Sequence, residues 1–446
     1  MLQSQHLYTQ AFPLCYLRNY LQGKRVNPTY KFLRTLTSPD DVVFKVSSAI
    51  NVALETVERD TLSSLGYVSA EDVVSTKDFP PYNRSAVDGF AVKAEDVSDA
   101  STTNPVVLKI KGFMHTSDPP EKYVIGHGEC VEVTTGAPLP IGADAVVMAE
   151  HARKVSECEV EILKPVAMWD NVSLKGEDLR KGQVIVRKGE VIRPWHIGLL
   201  ATLNIAKVKV YRKPVASVLG VGDELVPLGS DVKPGKIVSS TMYLVKAFLE
   251  ELGVNVPYIE IVPDNLHVIR DKVAFYLSKV DFVFTTGGTS VGLKDFTVEA
   301  VKSLGPEVFI HGVAIKPGRP LAVAVINGKP VFMLSGYPVA AYTELLAIFE
   351  PLYYRLYGSR SPPKPKVKGK LVRRVYVEPG VRGYVRVRVF RRNGEVFVEP
   401  LITTGSGILS TLIVGNGILV VPEELEGYDE GDTVEVILTN PIIEEA

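Results

Sequence analysis

The chain has 446 residues, 46% of them apolar and 23% charged, with a formal net charge of −1. Such a length exceeds what one hydrophobic core serves, so three or four domains are expected. The balanced charge argues against a globally basic nucleic-acid binder, and no apolar run is long enough to cross a bilayer. Cys15, Cys130 and Cys158 stand far apart without a CxxC pair, and the seven histidines form no HExxH. Neither a zinc signature nor a disulfide framework follows, and a reducing cytoplasm is the expected compartment.

Residues 1–38 hold Arg18, Lys24, Arg25, Lys31 and Arg34 and no acid. That composition suits a transit peptide or a disordered extension, and no function is assigned to it. A helical pattern begins at Ser38–Asp40 and runs through Val46, Ile50, Ala53, Leu54 and Val57, with Ser and Asp as caps. Short Thr/Val/Ile-rich strands with Gly and Pro turns follow (VVLKI, ECVEVTT, AVVM, EVEILK), which predicts a mostly β domain over 79–168. Residues 169–212, with a short helix near His196–Thr202, either rejoin 39–78 as a discontinuous N-terminal domain or stand apart from it, and the pattern of residues does not choose between the two.

Residues 213–358 alternate strand and helix, so a three-layer α/β domain with a mostly parallel sheet is expected. Its strands are Val215–Leu219, VPYIEIV, DFVFTT, VFIHGVAI, LAVAVI and PVFML, the last two joined at an Asn327-Gly328 hairpin turn. Gly253 caps the first helix. A Pro/Lys linker over 359–370 leads to a β domain over 371–446, where YVRVRVF alternates and Asn393-Gly394 makes a hairpin.

The turns that leave the strand ends carry the chemistry. They are Gly222-Asp223-Glu224, Asp264, Thr286-Gly287-Gly288-Thr289-Ser290, Lys316-Pro317-Gly318-Arg319-Pro320 and Ser335-Gly336-Tyr337-Pro338. In an open parallel sheet such turns share one edge, where ligands bind. Gly287, Gly288, Thr289 and Ser290 suit a cradle for a phosphate or oxyanion, although the Walker spacing is absent. Lys316 and Arg319, on a Pro-stiffened turn, suit fixed cations facing that anion. Asp223, Glu224, Asp264 and Asp295 suit a Mg²⁺ site of one or two carboxylates plus water. Singly, each feature also has a plainer reading: a Gly turn, solvated charge, or a helix-capping acid.

At these loops the sequence resembles the molybdopterin molybdenumtransferase family, the MoeA type related to the C-terminal domain of gephyrin. The strings that carry the resemblance are PPYNRSAVDGFAV (80–92), TTGAPLPIGADAVVMAE (134–150), GED (176–178), VGDEL (221–225), TTGGTSVGLKDFT (285–297), VAIKPGRP (313–320), LSGYPVA (334–340) and GSGILSTL (405–412). The resemblance implies a discontinuous N-terminal domain, an elongated β domain, a pterin-binding α/β domain and a C-terminal β-barrel. It implies a homodimer whose active site lies at the subunit interface. It also implies insertion of molybdate or tungstate into adenylylated molybdopterin, with AMP released and Mg²⁺ or a similar ion assisting. By matching position it gives catalytic roles to Asp88, Thr135, Glu224, Asp264, Asp295 and Lys316. Metal-binding roles fall to Asp178, Glu224, Asp264 and Asp295. Pterin and oxyanion contacts fall to Pro338, Arg386, Ser406 and Ser410 by the same matching, and Gly287, Gly288, Thr289, Ser290, Pro317, Gly318, Arg319, Ser335 and Gly336 join them as members of the turns read above.

The family usually reads LPGNPVS where this chain has Leu334-Ser335-Gly336-Tyr337-Pro338-Val339-Ala340, a departure that bears on metal preference. Three rival readings remain. They are a non-catalytic cofactor-binding scaffold, a molybdopterin adenylyltransferase, and nucleic-acid binding through the basic stretch 364–392. The last ranks lowest, because alternating Val and Arg is more simply the solvated face of a strand.

Overall fold

The computed structural model describes residues 36–52, 54–288, 296–359, 362–401 and 406–445. Two compact units emerge, Thr56–Arg212 and a second holding Lys213–Ala446 with the chain up to Glu55.

Within Thr56–Arg212, the chain leaves and returns as the resemblance implies. Thr56–Asp60 pairs antiparallel with Lys207–Tyr211, and Val73–Val74 with Val184–Val186. Leu179, Val186, Ile192, Leu200 and Val210 form the core beneath these pairs, with Leu200 supplied by the helix Pro194–Thr202. Between the two halves lies the elongated β domain. Its six-stranded sheet is antiparallel except where Val106–Met114 runs beside Glu129–Val133. Apolar residues of this sheet alternate between two buried clusters, one around Phe90, Leu108 and Val147 and the other around Ala91, Met114 and Val146.

The other unit opens with helix α1 (Pro39–Ala49), whose first-turn amide on Asp41 is capped by the Ser38 hydroxyl at 3.1 Å. The helix ends eight residues before Val57, the last residue of the helical pattern in the sequence. Asn51 N–H instead bonds the Gly328 carbonyl, and Val57 pairs with Val210 in a strand. Thr37 bridges to Val313, and α1 packs on the α/β domain, so residues 39–49 travel with that domain and not with 169–212.

The sheet comprises β1 (Val215–Val221), β2 (Asn255–Val262), β3 (Phe282–Thr286), β4 (Val308–His311), β5 (Ala322–Ile326) and β6 (Lys329–Leu334), in the order β2-β1-β3-β6-β5-β4. The first four in that order run parallel, and β5 turns back on β6 at Asn327-Gly328. Helices cover both faces. One face receives α3 (Leu266–Leu277) and α4 (Phe296–Lys302) over Leu219, Val283 and Met333. The other face carries α2 (Ser240–Glu251) and α5 (Pro338–Glu344), which runs through a π-turn (Leu345–Phe349) into α6 (Glu350–Leu356). Here Phe284 stacks on Phe332 at 4.9 Å between centroids, and both meet Phe349 edge-on. Such buried aromatic pairs contribute about 0.5–1.5 kcal/mol each beyond their area.

The last domain is a closed five-stranded barrel of β7 (Lys366–Leu371), β8 (Arg382–Arg392), β9 (Glu395–Pro400), β10 (Gly417–Val421) and β11 (Thr433–Leu438). Strand β7 begins inside the stretch expected to be linker. Closure also changes the expected alternation of β8: Arg386 is only 7% exposed, not part of a solvated face. Arg382 ties the barrel to α1 by forking onto both oxygens of Asp40 at 2.8 and 3.3 Å while also holding Glu423.

Candidate active site

The parallel strands end at one edge, and their turns line a single cavity of about 930 Å³. Glu224 follows β1, Asp264 follows β2, Gly287 and Gly288 follow β3, and Gly318 and Pro320 precede β5. Ser335, Gly336, Tyr337 and Pro338 follow β6. Thr289, Ser290 and Asp295 lie outside the described residues.

Asp264 does not cap the helix that follows it. Asn265 does, its side-chain oxygen accepting the amides of His267 and Val268. The Asp264 carboxylate instead accepts the Asp223 N–H at 3.4 Å, and Asp223 accepts the Asp264 N–H at 3.2 Å. Each carboxylate keeps one oxygen clear of these bonds. Glu224 folds over Gly222, where an added Cβ would lie 2.7 Å from its carboxylate oxygens. Hard, adjacent oxygen donors of this kind fit Mg²⁺ held by one or two carboxylates and water. Among the described residues the three acids do not form a compact three-ligand cluster; Glu95, Asp96 and His127 of the β domain do.

The glycines after β3 answer a steric need. A Cβ on Gly287 would lie 2.6 Å from the Val221 carbonyl oxygen, and one on Gly288 would lie 2.2 Å from Thr297 Oγ1. Both have left-handed φ, +91° and +68°. The Gly287 N–H is spent on the Leu334 carbonyl at 3.1 Å, so it does not serve the anion cradle expected from the sequence.

Cationic charge collects in a second cavity of about 570 Å³, walled by the barrel and the 316–320 turn. Lys316, Pro317 and Arg386 line it, and Ser406 belongs to the walls of both cavities. Arg373 and Arg374 also face it, but Glu399 and Asp429 compensate their charge. The buried Arg386 has only the Thr411 hydroxyl, 3.3 Å from Nε, and no carboxylate among the described residues. Burial pulls its pKa below the ordinary arginine value. Lys316 is exposed and unpaired among the described residues. Arg319 departs from expectation: its guanidinium pairs with Glu378 and does not line either cavity. Ser410 is exposed, just before the short helix Thr411–Val414, and also lies outside both linings.

In the β domain, Asp88 and Thr135 come together. One oxygen of Asp88 accepts the Thr135 amide at 2.7 Å and its hydroxyl at 3.1 Å. Asp178 is exposed, its carboxylate without a hydrogen-bond or ionic partner among the described residues.

The residue that sequence reasoning missed is Glu344. It ends α5 within the apolar run VAAYTELLAIF, and a lone acid on the inward side of such a helix was the available signal. Its oxygens take the Ser335 N–H at 2.9 Å and the Ser335 hydroxyl at 2.5 Å. Burial pushes this carboxyl up to about 8 against the two Ser335 bonds that lower it. Thr241 of α2 steadies the same turn by donating to the Gly336 carbonyl at 2.6 Å. Tyr337 is 64% exposed, and its ring abuts Gly407 of the barrel loop.

Fold and site together define a multidomain α/β protein with a ligand cavity at the carboxyl edge of its sheet and an adjoining cationic barrel cavity. Three protein families match in order: "MoeA N-terminal region (domain I and II)" over 37–204, "Probable molybdopterin binding domain" over 217–354, and "MoeA C-terminal region (domain IV)" over 368–439. A Methanocaldococcus jannaschii protein named "Putative molybdopterin biosynthesis protein" is 39% identical, the match covering 92% of this chain and 98% of the relative. A Staphylococcus epidermidis molybdopterin molybdenumtransferase is 33% identical, with 87% and 92% covered. A crystal structure titled as the molybdopterin biosynthesis MoeA protein from Pyrococcus horikoshii superposes with a TM-score of 0.78 at 30% identity, covering 91% of this chain and all of the other. The chain belongs to the MoeA family, which places it among the transferases of molybdenum cofactor biosynthesis.

Proposed function

We propose that the chain inserts molybdate, or tungstate, into adenylylated molybdopterin and releases AMP. The observation that carries this reading is Arg386, a buried guanidinium with no carboxylate partner among the described residues, lining one cavity with Lys316. A buried cation without a counter-ion is costly, and a bound anion offsets that cost.

In this reading the nucleotide-bearing pterin occupies the sheet cavity, and the oxyanion sits toward Lys316, Arg386 and Ser406. Glu224 and Asp264, with Asp295, hold Mg²⁺ or a similar ion, which supplies neutralisation of phosphate charge when the anhydride opens. Lys316 stabilises charge developing on the leaving phosphate, and Pro317, Gly318, Gly336 and Pro338 keep the turn backbones close to the guest. The resemblance further supports a homodimer in which a second copy brings Asp88 and Thr135, while Asp178 is the further metal ligand. The reaction takes place in the cytoplasm in this reading; separately, no described helix is long and apolar enough to cross a membrane.

The test incubates the pure chain with adenylylated molybdopterin, molybdate and Mg²⁺ and measures AMP by chromatography. Oxyanion-dependent AMP release, lost in Arg386→Ala, is expected. ATP consumption without metal would establish the adenylyltransferase reading instead, and tight pterin binding with no AMP would establish the scaffold.

A further inference from the structure

Glu344 has no part in the reaction outlined above, yet it supports two turns of the sheet cavity at once. It is 1% exposed, it holds both donors of Ser335, and a Cβ on Gly318 would lie 2.8 Å from its Cγ. Ser335 and Gly318 both line the cavity. A proline at 335, the residue in the family's usual motif, would remove the N–H that Glu344 accepts and the hydroxyl beside it. Ser335 and Glu344 therefore act as one unit, and the departure at 335 has a physical counterpart nine residues on.

We propose that Glu344 is a positioning residue whose carboxyl decides whether Ser335 presents a hydroxyl proton or a lone pair to a tetrahedral oxyanion in the sheet cavity. The inference rests on the reading above, in which the phosphate-bearing substrate occupies the sheet cavity and the metal oxyanion lies beside it, past the shared Ser406 wall. When Glu344 is ionised, both its oxygens must accept, so the Ser335 hydroxyl turns inward to donate and its lone pairs face the guest. When Glu344 is protonated, its O–H donates to Ser335 Oγ, and the serine proton is free to donate to the anion. The backbone N–H of Ser335 bonds the other carboxyl oxygen in either state. Anion binding thus takes up one proton wherever the free protein is ionised at Glu344.

The charged and titratable groups on the elements packed against α5 are Tyr243, Lys246, Glu250 and Glu251 of α2, Lys329 of β6, and Lys316. None of them is among the influences on Glu344, which are burial and the two Ser335 bonds. With its carboxyl raised to about 8, the change between the two hydroxyl orientations falls near neutrality.

Titration calorimetry of the full chain with molybdate, tungstate and inorganic phosphate, from about pH 6.5 to 9.5, tests this. Wild-type affinity should be level below about pH 8 and weaken about tenfold per unit above it, with about one proton taken up at high pH in paired buffers. Glu344→Gln keeps an N–H donor toward Ser335 Oγ and an acceptor for its amide, so its affinity should stay level where the wild type declines. An equal decline in both proteins, or wild-type binding with no pH dependence and no proton uptake, overturns the inference alone. Absence of binding by any of the three anions at every pH overturns the oxyanion reading and this inference with it. A pH response confined to the metallates places the metal oxyanion at Ser335, and one confined to phosphate places the substrate's phosphate there; either supports the proposal.

Discussion

Asp223 and Asp264 hold each other, the amide of each donating to the carboxylate of the other at 3.4 and 3.2 Å. This exchange fixes the turns after β1 and β2 as a pair and brings together two carboxylates, of which that of Asp264 belongs to a residue lining the cavity. Like charges so placed favour a divalent cation between them and phosphate.

Asp264→Asn should therefore weaken Mg²⁺ or Mn²⁺ binding at least about tenfold while leaving the melting temperature nearly unchanged. Mn²⁺ titration followed by electron paramagnetic resonance reads the affinity directly. Unaltered affinity in both Asp264→Asn and Glu224→Gln would remove the metal from this edge.

Arg386→Ala should lower molybdate affinity by about 10- to 100-fold, the value of one charge-assisted hydrogen bond of about 1.5–3 kcal/mol. Because the guanidinium is buried without a carboxylate partner, Arg386→Met should also raise thermal stability or leave it unchanged. Calorimetric titration and melting curves of the two variants separate binding from folding.

Thr135→Ala removes the hydroxyl bond to Asp88 and leaves the amide bond. Stability should fall by no more than about 1 kcal/mol. The rate of AMP release should fall about tenfold and be restored by Thr135→Ser, as single-turnover kinetics would show.

Glu344 gives the fold a pH dependence of definite sign. Its carboxyl lies near 8 in the folded chain against an ordinary value of 4.5, so between those values the folded state holds the extra proton. The contribution of Glu344 to stability is full below about 4.5 and is lost as pH rises through about 8, by up to about 1.4 kcal/mol per unit. Glu344→Gln should match the wild type near pH 5 and melt higher at pH 9. Parallel melting curves at both pH values would show that the carboxyl is not the cause.

Strand and helix identities were legible where period and punctuation agreed, as with the Asn327-Gly328 hairpin, the Gly253 stop and the Ser38 cap. The misplaced end of α1 shows what periodicity leaves out. Val57 suits a helical apolar stripe as well as a strand, and its partner, Val210, is distant in sequence. Likewise the Val-Arg alternation of β8 reads as one wet face until the sheet closes and buries Arg386. Convergence of the turns on one cavity followed from the parallel order of strands, but their internal bonding did not. Nothing local announces that the Gly287 amide is already taken, that Arg319 turns to Glu378, or that Glu344 reaches back to Ser335.

The start of α5 has a bearing on modularity. Pro338 has no amide to offer, and the Val339 N–H donates to the Ser406 carbonyl at 3.1 Å, so a loop of the barrel completes a helix of the α/β domain. Arg382 reaches Asp40 from the same side of the linker. An excised fragment spanning only 213–358 would lose the acceptor at that helix start and the whole of α1, leaving apolar surface bare. The parallel sheet and the barrel thus belong to one compact unit, and domain-swapping between relatives should be designed to carry them together.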